Sequence, residues 1–288
     1  MASFSTEMNT THKIRSLSLP SKLNPINHRI EQELKRLRSK EEASTSASER
    51  IIIGVSGLEK LYGYINQALS LPMTQQALSI RQHEKHVAEL FKGCSSLVNV
   101  CSLIKEVVSQ QVKIIKSLES SLSENEADIS KMQSNIANYN SLRKEVIRKA
   151  KEVLKSLNQL NAEVLGEEDC NRSTVIKSLR CVSIINLSVF QSLLLFLSIP
   201  VSRPKKSMVS KLMNKGKWKY ESENEINDVD NVLHQLFSWK DLNDQKLCYA
   251  LPKSKVLVGV VQGIQNDLEK MFTQLTNTKV SLMNILSF

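Results

Sequence analysis

Residues 181–202, CVSIINLSVFQSLLLFLSIPVS, decide how the rest of the chain is read. Twenty-two residues pass without a charge between Arg180 and Arg203, and thirteen of the nineteen from Cys181 to Ile199 are apolar. Nineteen helical residues span about 28 Å, just enough to cross a hydrocarbon core of about 30 Å. Yet Ser183, Asn186, Ser188, Gln191, Ser192 and Ser198 interrupt the run, and cations flank both of its ends, so it carries no orientation signal. The neighbouring segments are amphipathic and need an apolar partner. A helix that is apolar almost all round is what such segments bury. The sequence therefore predicts that 181–199 is the central helix of a bundle, with a membrane insertion as the alternative.

Working outward, two long seams precede this stretch. Val87, Leu90, Cys94, Leu97, Cys101, Ile104, Val108, Gln111, Ile115, Leu118 and Leu122 recur at three- and four-residue steps. Ile129, Met132, Ile136, Tyr139, Arg143, Val146, Ala150, Val153, Leu157, Leu160 and Val164 continue in the same way, with Arg143 as the one break. A single helix from Met73 to Val164 would be about 140 Å long. Ser120, Ser121, Ser123 and Asn125 offer a break, and Ser121-x-x-Glu124 can restart a helix. The expectation is an antiparallel hairpin of two long helices.

Before the seams, Glu49 to Leu71 predicts a helix ended by Pro72, with Thr74 as cap of the next. Gly54, Gly57 and Gly63 weaken it but allow close backbone approach. Ser46-x-x-Glu49 has capping-box spacing at its start. Residues 1–48 are read as a disordered arm and Ser-rich linker with a short helix over 26–38, and 49–288 as the bundle domain. The eight Ser/Thr and single acid of residues 1–30 are loosely like a plastid transit peptide, and a disordered tail is the plainer reading. After Pro200, residues 202–219 are basic and 220–230 acidic, and both are placed on the surface. A helix over 229–237 follows, then a last one opening at Pro252 with a seam of Leu257, Val261, Ile264, Leu268, Met271, Leu275, Thr278, Leu282 and Ile285.

Composition agrees. Only 8 Gly, 6 Pro and 5% aromatic residues argue against an all-β fold. The five cysteines are odd in number and form no CxxC, so they are read as free thiols in a reducing compartment. Cys94 and Cys101 share a seam and read as core. His83 and His86 lack a completing ligand and read as a solvated helix face. No phosphate-binding glycine loop or nucleophile elbow occurs. The expectation is a protein without enzyme activity, cofactor or small-molecule substrate.

Two stretches could bind partners. Arg203, Lys205, Lys206, Lys211, Lys215, Lys217 and Lys219 form a run of cations within a chain of net charge +10. Such a run suits an anionic membrane surface better than nucleic acid. The five acids Glu221, Glu223, Glu225, Asp228 and Asp230 follow at once and offset its field, so a solvated segment is the plainer reading. Near the N-terminus, Arg15, Ser18 and Pro20 fit R-S-x-S-x-P, the form that 14-3-3 proteins bind once the second Ser is phosphorylated.

Four strings carry a family resemblance: Arg15 to Ser21 (RSLSLPS), Gln32 to Ser39 (QELKRLRS), Leu71 to Leu78 (LPMTQQAL) and Thr278 to Ser287 (TKVSLMNILS). With them the chain resembles the plant-specific BYPASS-related family of helical proteins over nearly its whole length. The resemblance implies a plant protein linked to root and shoot development, with no catalytic residues assigned, and some members associated with plastids or membranes. The combined expectation is all-α: an elongated bundle of long antiparallel helices that acts through protein–protein contact. Cytoplasm is the first expected location, with membrane or plastid as alternatives.

Overall fold

The computed structural model describes residues 23–44, 46–124, 129–164, 174–198, 225–238 and 244–287. Among these the fold is all-α. The helices are α1 (Leu23–Ala43), α2 (Ala47–Leu69), α3 (Pro72–Leu78), α4 (Arg81–Glu124), α5 (Ile129–Val164), α6 (Thr174–Leu197), α7 (Glu225–Ser238) and α8 (Asp244–Leu286). At 1.5 Å per residue α4 is about 66 Å long, which makes the bundle elongated.

The two seams form the expected hairpin. Lys149 Nζ donates to Gln110 Oε1 at 3.2 Å, while Tyr139 lies further along toward Leu118 and Ser121, so α4 and α5 run antiparallel. Residues 181–197 of the apolar stretch lie in α6, which packs on α2, α4 and α5. Val182, Leu187, Val189, Phe190, Leu193, Leu194, Phe196 and Leu197 are all buried, and Ile184 is the exposed large apolar side chain of this helix. Helices α2, α8, α4 and α6 pack each on the next in a ring, α5 covers α4 and α6, and α1 lies on α2.

Glycine sets two of these contacts. A Cβ on Gly54 would stand 2.8 Å from Val189 Cγ2, where α2 meets α6. Valine in a helix keeps one rotamer and cannot turn aside. A Cβ on Gly57 would overlap Leu37 of α1. At Gly63 the nearest atom is Gln274 Oε1 at 3.9 Å, which leaves room. Gly63→Ala is therefore expected to stabilise by up to about 1 kcal/mol through helix propensity. Gly54→Ala should lose about 1–3 kcal/mol to overpacking, less that same gain. Urea unfolding midpoints should move in opposite directions for the two variants.

Several local expectations change. Helix α1 extends beyond 26–38 at both ends and takes in residues 39–43, and its Ile30 and Leu37 are buried against the bundle. Thr74 does not cap α3: Leu71 is the N-cap residue and Pro72 opens the helix, where its missing N–H costs nothing. Pro252 does not open the last helix but lies within α8. Ala250, Ser254 and Leu257 are buried on both sides of the proline, so packing carries the helix through it. Helix α7 begins at Glu225 and buries Ile226, Val229 and Asp230, so the end of the acidic stretch is not on the surface. Ser46 does cap α2, its Oγ accepting from Glu49 N–H at 3.4 Å, whereas Glu49 Oε2 turns to the Ser44 hydroxyl.

Candidate functional site

Arg143, the break in the second seam, is fully buried. A lone guanidinium could not sit there, because desolvation costs several kcal/mol. It is compensated from three helices. Its Nη1 donates to the carbonyl of Leu197, the last residue of α6, at 2.6 Å, and to Gln111 Oε1 of α4 at 3.4 Å. Its Nε donates to Asp230 Oδ2 of α7 at 3.2 Å. Tyr139, one turn before it on α5, donates its hydroxyl to Asp230 Oδ1 at 2.8 Å. One side chain thus caps the C-terminus of α6, where carbonyls lack helical partners and the dipole favours a cation, and holds α7 as well.

The charges in this node are not evenly matched. The 2.6 Å bond of the guanidinium goes to a neutral carbonyl, and its bond to the carboxylate is long for a charge-assisted pair. Burial therefore outweighs the Arg143 charge and raises the Asp230 pKa above the usual carboxylate range. Burial and the neighbouring Asp230 carboxylate likewise push Tyr139 well above its ordinary value. Gln111, Tyr139, Arg143 and Asp230 are all buried. They tie helices together.

Two further polar ties cross the bundle. Asn186, inside the apolar stretch, donates to the Tyr62 hydroxyl of α2 at 2.8 Å. Asn66 of α2 bonds Gln274 Oε1 at 2.9 Å and accepts from Thr278 at 2.6 Å, which joins α2 to α8. The seam cysteines are core: burial pushes the Cys94 and Cys101 thiols up to about 12. Among the described residues no group of three or more His, Cys, Asp or Glu could hold a metal.

The structure does not describe the site residues expected from the sequence. Arg15, Ser18 and Pro20, and the cations Arg203 to Lys219, lie outside the described residues. The structure instead brings forward Gln111, Tyr139, Arg143 and Asp230. The available signal was Arg143 itself, a cation at a position where the pattern demands burial.

A family model described as Protein BPS1 matches residues 54–285. The chain belongs to the BPS1 (BYPASS1) family. That span covers α6 and all four members of the buried node. The family resemblance therefore stands over residues 54–285, and this is a BYPASS-related plant protein. No match was found among curated proteins or among solved structures.

Proposed function

We propose that this BPS1-family protein is a non-enzymatic cytoplasmic factor in root and shoot development that acts by binding other proteins. The observation that carries the reading is the use made of its interior polar groups. Arg143, Asp230, Tyr139, Asn186 and Asn66 all join helices, which suits a stiff scaffold whose outer faces do the work. The N-terminal string with Arg15, Ser18 and Pro20 supplies one such contact, a 14-3-3 protein that recognises phosphorylated Ser18.

Affinity capture of the full-length protein from root and shoot extracts, with retained proteins identified by mass spectrometry, tests this. Reproducible partners are expected, and 14-3-3 proteins among them should be lost with Ser18→Ala. Retention of nothing above an unrelated helical bundle would sink the reading.

A further inference from the structure

The string Ser46-x-x-Glu49 has capping-box spacing, and the structure uses it in another way. Ser46 is the N-cap of α2, in the short break after α1, with an extended backbone at φ −97° and ψ 142°. Its side chain is half-buried, whereas that of Ser48 is buried. The Glu49 carboxylate does not close the box but accepts from the Ser44 hydroxyl at 2.7 Å. The Ser46 hydroxyl donates to Glu225 Oε1 at 2.7 Å, and Ser48 donates to the same oxygen. Glu225 opens α7, 179 residues away in the chain. Its Oε2 is buried and accepts no hydrogen bond among the described residues, so Oε1 alone holds the carboxylate to α2.

A cation stands at the same place. Arg50 lies four residues after Ser46, on the same face of α2. Its Nη1 reaches back to the Ser44 carbonyl at 3.1 Å, and it forms no ion pair among the described residues.

We propose that Ser46 is a phosphorylation site for an acid-directed serine kinase, and that its phosphate releases the start of α7. Such kinases read a carboxylate three residues after the serine, the place that Glu49 holds. Ser39 and Ser121 have the same spacing to Glu42 and Glu124 but lie within α1 and α4, whereas the Ser46 backbone is already extended. The γ-phosphoryl group of ATP passes to Ser46 Oγ, the hydroxyl proton leaves to the kinase's base, and ADP departs. The ester oxygen can no longer donate to Glu225. In place of that bond, a group of charge about −2 faces a partly buried carboxylate. The helix dipole at the start of α2 and the Arg50 guanidinium favour the phosphate, and Glu225 is displaced. Arg143 and Tyr139 still hold Asp230, which confines the loosening to the first turn of α7. The proposal does not depend on the protein contacts proposed above.

Treatment of the full-length protein with casein kinase II and ATP tests both halves. Mass spectrometry should place phosphate on Ser46, and Glu49→Gln should suppress it. Hydrogen exchange should then quicken about ten- to hundredfold at the amides of Val229 to Asn231, whose helical acceptors are the carbonyls of Glu225 to Asn227. The amides of Leu233 to Leu236 should keep their rates, and Ser46→Ala treated in the same way should show no change in α7. A pair of variants separates charge from capping. Ser46→Asp and Ser46→Asn both cap a helix well, yet only the first adds a charge. Ser46→Asp should loosen the same amides more than Ser46→Asn, and the difference should vanish in a Glu225→Gln background. Phosphate absent from Ser46, unchanged exchange in α7 once Ser46 is phosphorylated, the same quickening in treated Ser46→Ala, or equal exchange in the two capping variants would each overturn the proposal.

Discussion

Replacing Arg143 by alanine should destabilise the protein by about 3–5 kcal/mol, the range for breaking a buried ion pair from one side. The Asp230 carboxylate would remain buried without its cation, and the Leu197 carbonyl would lose the Arg143 donor. The loss should exceed that of any exposed cation, such as Lys151→Ala, which should stay within about 0.5 kcal/mol. Removing both charges together, as Arg143→Met with Asp230→Leu, should cost less than Arg143→Ala alone, because no uncompensated charge is left behind. The Tyr139 hydroxyl would still lose its acceptor, at about 1–3 kcal/mol, so full recovery is not expected. Urea unfolding of the three variants measures this. A double variant that loses as much as Arg143→Ala, or more, would contradict the account of the node.

The same node sets an unusual pH dependence. Burial raises the folded-state pKa of Asp230 above that of the unfolded chain. Between the ordinary carboxylate range and that raised value, the native state binds more protons than the unfolded state. Stability from this group therefore rises as pH falls through that window and is lost as pH rises through the folded pKa. Asp230→Asn should remove this contribution.

The second large effect belongs to α6. Phe190 of α6 is fully buried. Phe190→Ala should cost about 3–5 kcal/mol, the sum of lost transfer energy and the cavity left behind. Ile184, on the same helix, is 41% exposed, and Ile184→Ala should cost well under half as much. Chemical unfolding of the detergent-free protein reads both. Equal, small losses at the two positions would mean that the apolar stretch is not packed as a core helix.

Periodicity made the bundle legible before any coordinates. The seams of α4, α5 and α8 repeat over many turns, and only one kind of structure satisfies them. The node was not legible. Arg143 looked like a flaw in a seam, and Asp230 lies 87 residues away at the end of a run of acids that reads as surface. Chain separation hides such a pair, because nothing local in either segment refers to the other. Pro252 misled for a different reason. Its ring favours a helix start, but burial of Ala250 and Ser254 on either side holds it mid-helix. The expected helix over 26–38 stops short of Leu23–Ala43 because Ser39 suggests a linker, whereas Ile30 and Leu37 dock the longer helix on the bundle.

The measurement closest to the central claim is amide hydrogen exchange of the full-length protein in aqueous buffer, without lipid or detergent. If residues 181–197 are the core helix of a bundle, their amides should open only with global unfolding and exchange as slowly as those of Val55 to Ile65 in α2. Rapid exchange across 181–197 while α2 stays protected, with protection appearing only on adding detergent, would contradict it.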